Sequence, residues 1–180
     1  MKNALILVDI QNDYFEGGKW PVAKMAEVGR NAARLLADAR SKGEMVIHVH
    51  HEMPAGGPFF VTGTQGAAIN QVVAPQDGEA TVLKHRPNSF HQTGLEALLR
   101  ENGIESVTIC GAMSQMCIDA TARAARDFGF DVTVVEDACG ARDVTFGDTT
   151  IPAAQVHTTM MGALNGTYAK VVNTQTCLGA

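Results

Sequence analysis

The sequence lacks the cysteine pattern of a disulfide scaffold or a cysteine-rich zinc module. It has four cysteines in 180 residues, and none of them forms a C-x-x-C pair. Secreted disulfide frameworks and structural zinc sites need a denser pattern than this. We therefore interpret the four cysteines as free thiols and expect a cytoplasmic protein.

Long apolar runs and basic clusters are also missing. The apolar run at residues 4–8 ends at Asp9, so it predicts neither a signal peptide nor a membrane span. The chain has 14 basic and 19 acidic residues, which gives a net charge of −5, and it has no arginine-rich segment. Nucleic acid and membrane are therefore not expected as partners.

What the chain does have is a regular alternation of strand and helix patterns. The apolar run at residues 4–8 is typical of a strand that is covered on both faces. Further strands are predicted at 44–49, 81–84, 107–110, 131–135 and 169–173, and helices at 22–42, 93–102, 114–128 and 152–164. The length fits one domain over residues 1–180. The alternation predicts an α/β fold with a mainly parallel six-stranded sheet and helices on both faces.

One junction between a strand and a helix stands out. The strand at 107–110 runs into Gly111, and a helix predicted from Ser114 carries Cys117 in its first turn. Open α/β sheets bind ligands at the carboxyl ends of their strands. The positive end of the helix dipole favours thiolate over thiol, which makes Cys117 a candidate nucleophile. A lone cysteine is more commonly a small buried apolar residue.

Two charged residues lie at the ends of other predicted strands. Asp9 follows the first strand and Lys84 ends the third. Because parallel strands share one carboxyl edge, Asp9, Lys84 and Cys117 are expected to meet there. The carboxylate would take the thiol proton and the ammonium would hold the thiolate. The spacing leaves open the alternative that Asp9 and Lys84 form a structural ion pair.

Three segments carry a family resemblance: ALILVDIQNDYF at 4–15, KHRPNSF at 84–90 and GAMSQMC at 111–117. They resemble the isochorismatase-like cysteine hydrolases, which include nicotinamidases, carbamoylsarcosine amidohydrolase and isochorismatases. The resemblance covers nearly the whole chain. It implies a three-layer α/β/α Rossmann-like fold, oligomeric assembly and an Asp-Lys-Cys triad at the three residues named above. It also implies a cis peptide at Ala112–Met113 and an oxyanion hole made by the backbone N–H groups of Met113 and Cys117.

The sequence departs from parts of this family. Nicotinamidases bind a metal through an Asp-x-His pair after the second strand, whereas this chain has His48-Val49-His50-His51-Glu52. We therefore expect no metal and no cofactor, and a ligand role for His50 or His51 stays open. Isochorismatases that cleave vinyl ethers lack the cysteine, so Cys117 favours C–N hydrolysis. Asn88 stands where the family often has serine, and we assign no consequence to this difference.

The predicted activity is hydrolysis of a C–N bond in a small carboxamide or carbamoyl-type substrate through a thioester. Two alternatives stay open: an isochorismatase-type hydrolysis with Asp9 as the acid and Cys117 as a bystander, or a non-catalytic oligomeric scaffold. The residues predicted to bind substrate are Gln11, Phe15, His50, Phe90 and Met113.

A homo-oligomer, dimer or tetramer, is predicted from helical segments that are rich in Ala and Met. These are residues 120–125 and 160–163, and part of the contact is expected after Pro152. The alternative for residues 120–125 is that they pack on the protein's own sheet.

Overall fold

A central sheet of six strands organises the computed structural model, which describes residues 1–179. The strands in chain order are β1 (Asn3–Val8), β2 (Met45–His51), β3 (Ala80–Lys84), β4 (Ser106–Ala112), β5 (Asp131–Gly140), β6 (Val144–Phe146), β7 (Thr149–Ile151) and β8 (Lys170–Val172). The sheet order is β3-β2-β1-β4-β5-β8, and every neighbouring pair is parallel. β6 and β7 form a separate antiparallel hairpin.

Helices cover both faces of the sheet. They are α1 (Met25–Ser41), α2 (Leu95–Glu101), α3 (Asp119–Asp127), α4 (Ala153–Leu164) and α5 (Thr174–Cys177), with a π-helix at Ser114–Ile118 and short 3₁₀-helices at Asn12–Tyr14, Gln65–Ala67 and Gln71–Val73. α1 and α5 pack on one face, and α2, α3 and α4 pack on the other. The predicted three-layer α/β/α fold is therefore confirmed.

The apolar run of β1 explains how two cores arise from one sheet. Successive side chains of a strand point to opposite faces. Ala4, Ile6 and Val8 therefore join the core under α2 and α3, while Leu5 and Leu7 join the core under α1. Each fully buried Leu or Ile contributes about 1.5–3 kcal/mol of transfer free energy. Such a continuous apolar run is expected in a strand that is covered on both faces.

Several element boundaries differ from the predicted ones. β2 extends to His51 because its pairing with β3 continues as far as Lys84. β5 extends to Gly140 because a register shift after Ile109 lets it pair with the end of β4. α1 begins at Met25, after Lys24 adopts a left-handed backbone conformation. The β6–β7 hairpin had no predicted counterpart.

The strand order puts the ends of β1, β3 and β4 at one edge, with β1 between β2 and β4. This is the edge at which the sequence places its candidate site. None of the helices in the described part of the chain is long and apolar enough to cross a membrane.

Candidate active site

The ammonium of Lys84 lies between the carboxylate of Asp9 and the thiol of Cys117. Lys84 Nζ is 2.7 Å from Asp9 Oδ2 and 3.2 Å from Cys117 Sγ. All three residues are buried, and Cys117 is 5% exposed. The predicted meeting of Asp9, Lys84 and Cys117 at the strand ends is therefore present in the structure.

A fourth residue, His51, contacts the same ammonium. Its Nδ1 lies 3.1 Å from Lys84 Nζ, and its side chain is buried. β3 lies two strands from β1, about 9–10 Å at the usual strand spacing, so the long Lys84 side chain has to pass the end of β2. His51 is the register partner of Lys84 there. The sequence left its orientation open because that depends on where β2 ends.

The backbone at the end of β1 turns sharply to present Asp9. Asp9 has a φ of 52°, an uncommon left-handed conformation for a residue with a side chain. Its N–H donates to the carbonyl of Val49 at 2.9 Å, which ties the turn to β2. This conformation directs the carboxylate toward Lys84, where it is completely buried.

Gln11, one of the residues predicted to bind substrate, forms hydrogen bonds to the backbone at the end of β2. Its Oε1 accepts a hydrogen bond from the N–H of His51 at 2.8 Å. Its Nε2 donates to the carbonyls of His51 at 2.8 Å and Ala67 at 2.7 Å. Both amide hydrogens and the oxygen are used and the residue is completely buried, so Gln11 holds the end of β2, and its predicted contact with substrate stays a prediction.

Cys117 is positioned by the π-helix that follows β4. The N–H of Ile118 donates to the carbonyl of Met113 at 3.1 Å, five residues earlier. Gly111 precedes this helix with a φ of 128°, and a Cβ there would collide with the carbonyl oxygen of Val8. The Ala112–Met113 peptide bond is cis.

The start of the π-helix is anchored by the buried hydroxyl of Ser114. Its Oγ lies 3.1 Å from the carbonyl oxygen of Gly140 and 2.9 Å from His157 Nδ1. His157 belongs to α4, so this contact joins the helix that carries Cys117 to a second helix and to β5. These contacts fix the backbone from which the thiol projects.

The electrostatics of Cys117 correct one expectation. Burial raises the pKa of the Cys117 thiol, and the Asp9 carboxylate raises it further, while Lys84 lowers it by less. The thiol is therefore protonated at rest. The helix dipole predicted a thiolate, but removal from water disfavours the charged form at this buried position.

The lysine and the histidine are shifted in opposite directions. Burial lowers the pKa of Lys84, but Asp9 and Cys117 raise it by more, so the net shift is upward. Burial lowers the pKa of His51 to about 4, and the charge of Lys84 adds to this effect. At neutral pH the site therefore holds a charged ammonium beside a neutral imidazole.

An aromatic cluster packs near the triad. Tyr14, Trp20, Phe59 and Phe60 have ring centroids 4.5–5.7 Å apart in successive contacts. Buried Asp13 holds the loop that carries two of them, because its Oδ2 accepts the N–H of Phe60 at 2.7 Å.

Arg142 lies against this cluster, and the sequence did not predict it as a site residue. Its guanidinium carbon is 4.1 Å from the centroid of the Trp20 ring. Arg142 Nη1, His50 Nδ1, Gln115 Oε1 and Asp9 Oδ1 are buried without a partner among the described residues, and the one partner of Asp9 Oδ2 there is the Lys84 ammonium of the ion pair. Unpartnered buried polar atoms are uncommon, and a bound polar molecule would satisfy them.

The remaining residues predicted to bind substrate have mixed surroundings. Phe90 packs in the core against Phe128 and Phe130, and Phe15 faces α1 at Gly29. Substrate contacts by these two phenylalanines, by His50 and by Met113 stay predictions.

Comparison with known proteins gives the family. The sequence profile of the isochorismatase domain matches residues 3–176. This chain belongs to the isochorismatase family of hydrolases. An uncharacterised isochorismatase family protein of Bacillus subtilis, YddQ, is 42% identical over 179 residues, which is 99% of each chain.

Two further relatives of this isochorismatase-family chain extend the comparison to structure and activity. The crystal structure of a protein assigned as an isochorismatase hydrolase from Oleispira antarctica matches with a TM-score of 0.97 and 44% identity, over 99% of this chain and 97% of that one. Maleamate amidohydrolase of Pseudomonas putida is 32% identical over 157 residues, 78% of this chain and 73% of the relative. These matches confirm the predicted family and fold.

A metal could compete for the centre of this isochorismatase-family site. One ligand atom each from Asp9, His51 and Cys117 lies within 4.8 Å of the others. Lys84 Nζ, however, lies within 3.2 Å of an atom of each of these residues. The ammonium and a metal cation could not share this position. The absence of a metal requirement stays a prediction.

Proposed function

We propose that this chain is a cysteine hydrolase that cleaves a C–N bond of a small carboxamide or carbamoyl-type substrate through a thioester. The observation that carries the proposal is the buried Asp9–Lys84–Cys117 arrangement, with the ammonium 2.7 Å from the carboxylate and 3.2 Å from the thiol. A thiol nucleophile beside a base that can take its proton is the usual basis of covalent acyl transfer.

In the first half of the reaction, Asp9 takes the proton of Cys117 as the sulfur attacks the carbonyl carbon. Lys84 steadies Asp9 through the ion pair and stabilises the negative charge on sulfur. The backbone N–H groups of Met113 and Cys117 would hold the developing oxyanion. The tetrahedral intermediate then collapses, its C–N bond breaks, and Asp9 returns the proton to the leaving nitrogen.

In the second half, water hydrolyses the thioester. Asp9, again ionised, takes a proton from the water as the water oxygen attacks the thioester carbonyl. The C–S bond breaks, and the proton returns to sulfur. The products are the acid and the resting thiol, so the enzyme finishes in the state in which it began.

The family relationship supports an amide substrate. Maleamate amidohydrolase, one of the relatives of this chain, is by its name an amide hydrolase. The unpartnered buried atoms of Arg142, His50 and Gln115 suit a small polar molecule. The partner of the site is therefore a small-molecule substrate.

A screen of small amides tests the proposal, with ammonia release as the readout. We expect at least one amide to be hydrolysed, and Asp9→Asn to lower its kcat by about 10²–10⁴-fold, as loss of a general base usually does. If Asp9→Asn lowers the thermal midpoint while specific activity holds, Asp9 is structural. Turnover of a vinyl ether in the Cys117→Ala variant would favour the isochorismatase-type reaction instead.

We also propose that the chain is a cytoplasmic homo-oligomer. The cysteines are all free, as a reducing compartment allows. Gly162 and Ala163 at the end of α4 are exposed, which suits subunit packing, whereas Ala122 and Ala125 are completely buried against the protein's own core. Light scattering tests the assembly. A mass near 19.1 kDa would contradict it.

A further inference from the structure

The ammonium of Lys84 has three hydrogens and three acceptor atoms within reach. These are Asp9 Oδ2 at 2.7 Å, His51 Nδ1 at 3.1 Å and Cys117 Sγ at 3.2 Å. The side chain is completely buried, so bulk water does not reach the ammonium. A buried ammonium is tolerated when each of its donors is satisfied, and it is costly when one is not.

We propose that His51 is a positioning residue of the triad, whose Nδ1 accepts the third ammonium hydrogen and thereby fixes Lys84 between Asp9 and Cys117. The inference deepens the proposed function and rests on it. His51 acts through Lys84, so it is not itself a catalytic residue. Asp9 and Cys117 alone leave one donor of Lys84 free, and the third acceptor defines the direction of the ammonium.

The acceptor role of His51 Nδ1 determines the protonation state and the tautomer of the imidazole. An ammonium has no lone pair, so His51 Nδ1 must be unprotonated and the hydrogen of the neutral ring must lie on Nε2. The neighbouring charge opposes protonation of the ring, as the lowered pKa of His51 reflects. His51 is therefore suited to orient Lys84 and is not suited to act as a cation at neutral pH.

The protein fixes the backbone of His51 unusually firmly. The residue pairs with Lys84 across β2 and β3. Gln11 satisfies both its N–H and its carbonyl. The imidazole thus projects from a backbone that is held by β3 on one side and by the chain after β1 on the other. A fixed backbone keeps the imidazole acceptor in one place. The Lys84 side chain has four rotatable bonds, so it needs such an acceptor to hold its ammonium in one position.

Three substitutions of His51 test whether Lys84 needs an acceptor atom at the position of Nδ1, or only a polar or bulky side chain. In His51→Asn, the amide Oδ1 is attached to the same γ carbon that carries Nδ1 in histidine, so an acceptor is kept. In His51→Gln the oxygen is one bond further out, and in His51→Leu no acceptor remains. Each variant is assayed on an amide that the wild type hydrolyses, with thermal melting as the control for folding.

We expect His51→Asn to keep most of the wild-type kcat. His51→Gln and His51→Leu should lose kcat on the order of 10²-fold, the effect of a misplaced catalytic group, with KM unchanged. Equal kcat in wild type and a folded His51→Leu variant would overturn the inference, as would Asn and Gln variants that are equally impaired. If His51→Leu does not fold, the comparison of Asn with Gln decides.

A second readout needs no substrate, which separates this inference from the proposed function. In protein labelled with ¹⁵N-lysine, the Lys84 ammonium signal is identified by its loss in Lys84→Met. We expect slow hydrogen exchange of that signal in wild type and in His51→Asn, and fast exchange in His51→Gln. Slow exchange in the Gln and Leu variants would overturn the role of His51, even if no amide were hydrolysed.

Discussion

The side-chain amide of Gln11 and the backbone of His51 form a reciprocal pair of hydrogen bonds, each 2.8 Å long. This pair has the pattern of a hydrogen-bonded pair in an antiparallel ladder, although one partner is a side chain. It ties the chain that follows β1 to the end of β2. Through His51 the contact reaches Lys84, so a residue that touches no reacting atom bears on the geometry of the triad.

The first prediction concerns Gln11. Gln11→Ala leaves the buried backbone groups of His51 and Ala67 unpaired, which costs about 1–3 kcal/mol for each unsatisfied group. We therefore expect a clear fall in the free energy of unfolding, measured by urea denaturation, with a lowered kcat. Gln155→Ala, at an exposed position of α4, is the matched control. A Gln11→Ala variant with unchanged stability and only a raised KM would restore the predicted substrate role.

The second prediction concerns the reactivity of the thiol. Because burial raises the pKa of Cys117 above the ordinary value of 9.0, the free enzyme holds a neutral thiol at neutral pH. The rate of Cys117 alkylation by iodoacetamide, followed by peptide mass spectrometry, should still be rising with pH above pH 9. A plateau below pH 8 would show that the resting form is a thiolate after all.

The third prediction concerns stability in acid. The pKa of His51 is lowered to about 4, so between about pH 6.5 and 4 the unfolded chain binds more protons than the folded one. The free energy of unfolding should therefore fall as pH decreases through this window. Glu79, whose pKa is lowered to about 2 mainly by its hydrogen bond with Arg40, adds a loss at lower pH.

His51→Asn removes the titrating imidazole and provides the comparison. Thermal melts at pH 7 and pH 4 should show a smaller loss of stability in that variant than in wild type. Identical losses of stability in the two proteins would mean that His51 is protonated as easily in the folded protein as in the unfolded chain. Lowered pKa values of His48 and His50 act in the same direction, so some loss should remain.

Much of the fold was predictable because buried parallel strands need apolar residues on both faces. The run at residues 4–8 has that property, and its end located Asp9. The meeting of Asp9, Lys84 and Cys117 followed from topology, since parallel strands share a carboxyl edge, whereas their catalytic roles were implied by the family resemblance. The β6–β7 hairpin could not be predicted in this way because the residues 143–150 are all exposed and show no core periodicity.

The finer features of the site depend on three-dimensional detail that the sequence does not carry. His51 points at Lys84 because β2 continues for two residues beyond its predicted end. The side chain of Gln11 forms its hydrogen bonds with backbone atoms, and one of these belongs to a loop at Ala67, which is far away in the sequence. The protonation of Cys117 depends on the depth of its burial and on the neighbouring Asp9 carboxylate.

The fourth prediction concerns metal dependence. Because Lys84 lies at the centre of the Asp9, His51 and Cys117 ligand atoms, hydrolysis should not require an added ion. Activity is expected to survive exhaustive dialysis against EDTA. Loss of turnover that zinc or another divalent ion restores would show that the histidines at the end of β2 bind a catalytic metal.

The fifth prediction concerns the nucleophile, the central element of the proposed mechanism. Cys117→Ala should keep the wild-type thermal midpoint to within the small change expected for a buried thiol, but amide turnover should disappear. Cys117→Ser should be a poor substitute because an alkoxide is much harder to form than a thiolate beside the same base. A Cys117→Ala variant that hydrolyses the amide at the wild-type rate would contradict the thiol mechanism.

The most direct measurement is mass spectrometry of the enzyme quenched in acid during turnover of an amide substrate. The mechanism predicts that the intact mass rises by the mass of the acyl group. Fragmentation should place the addition on Cys117, and the adduct should be absent from Cys117→Ala. Rapid turnover under the same conditions with no adduct on Cys117 would contradict the thioester mechanism.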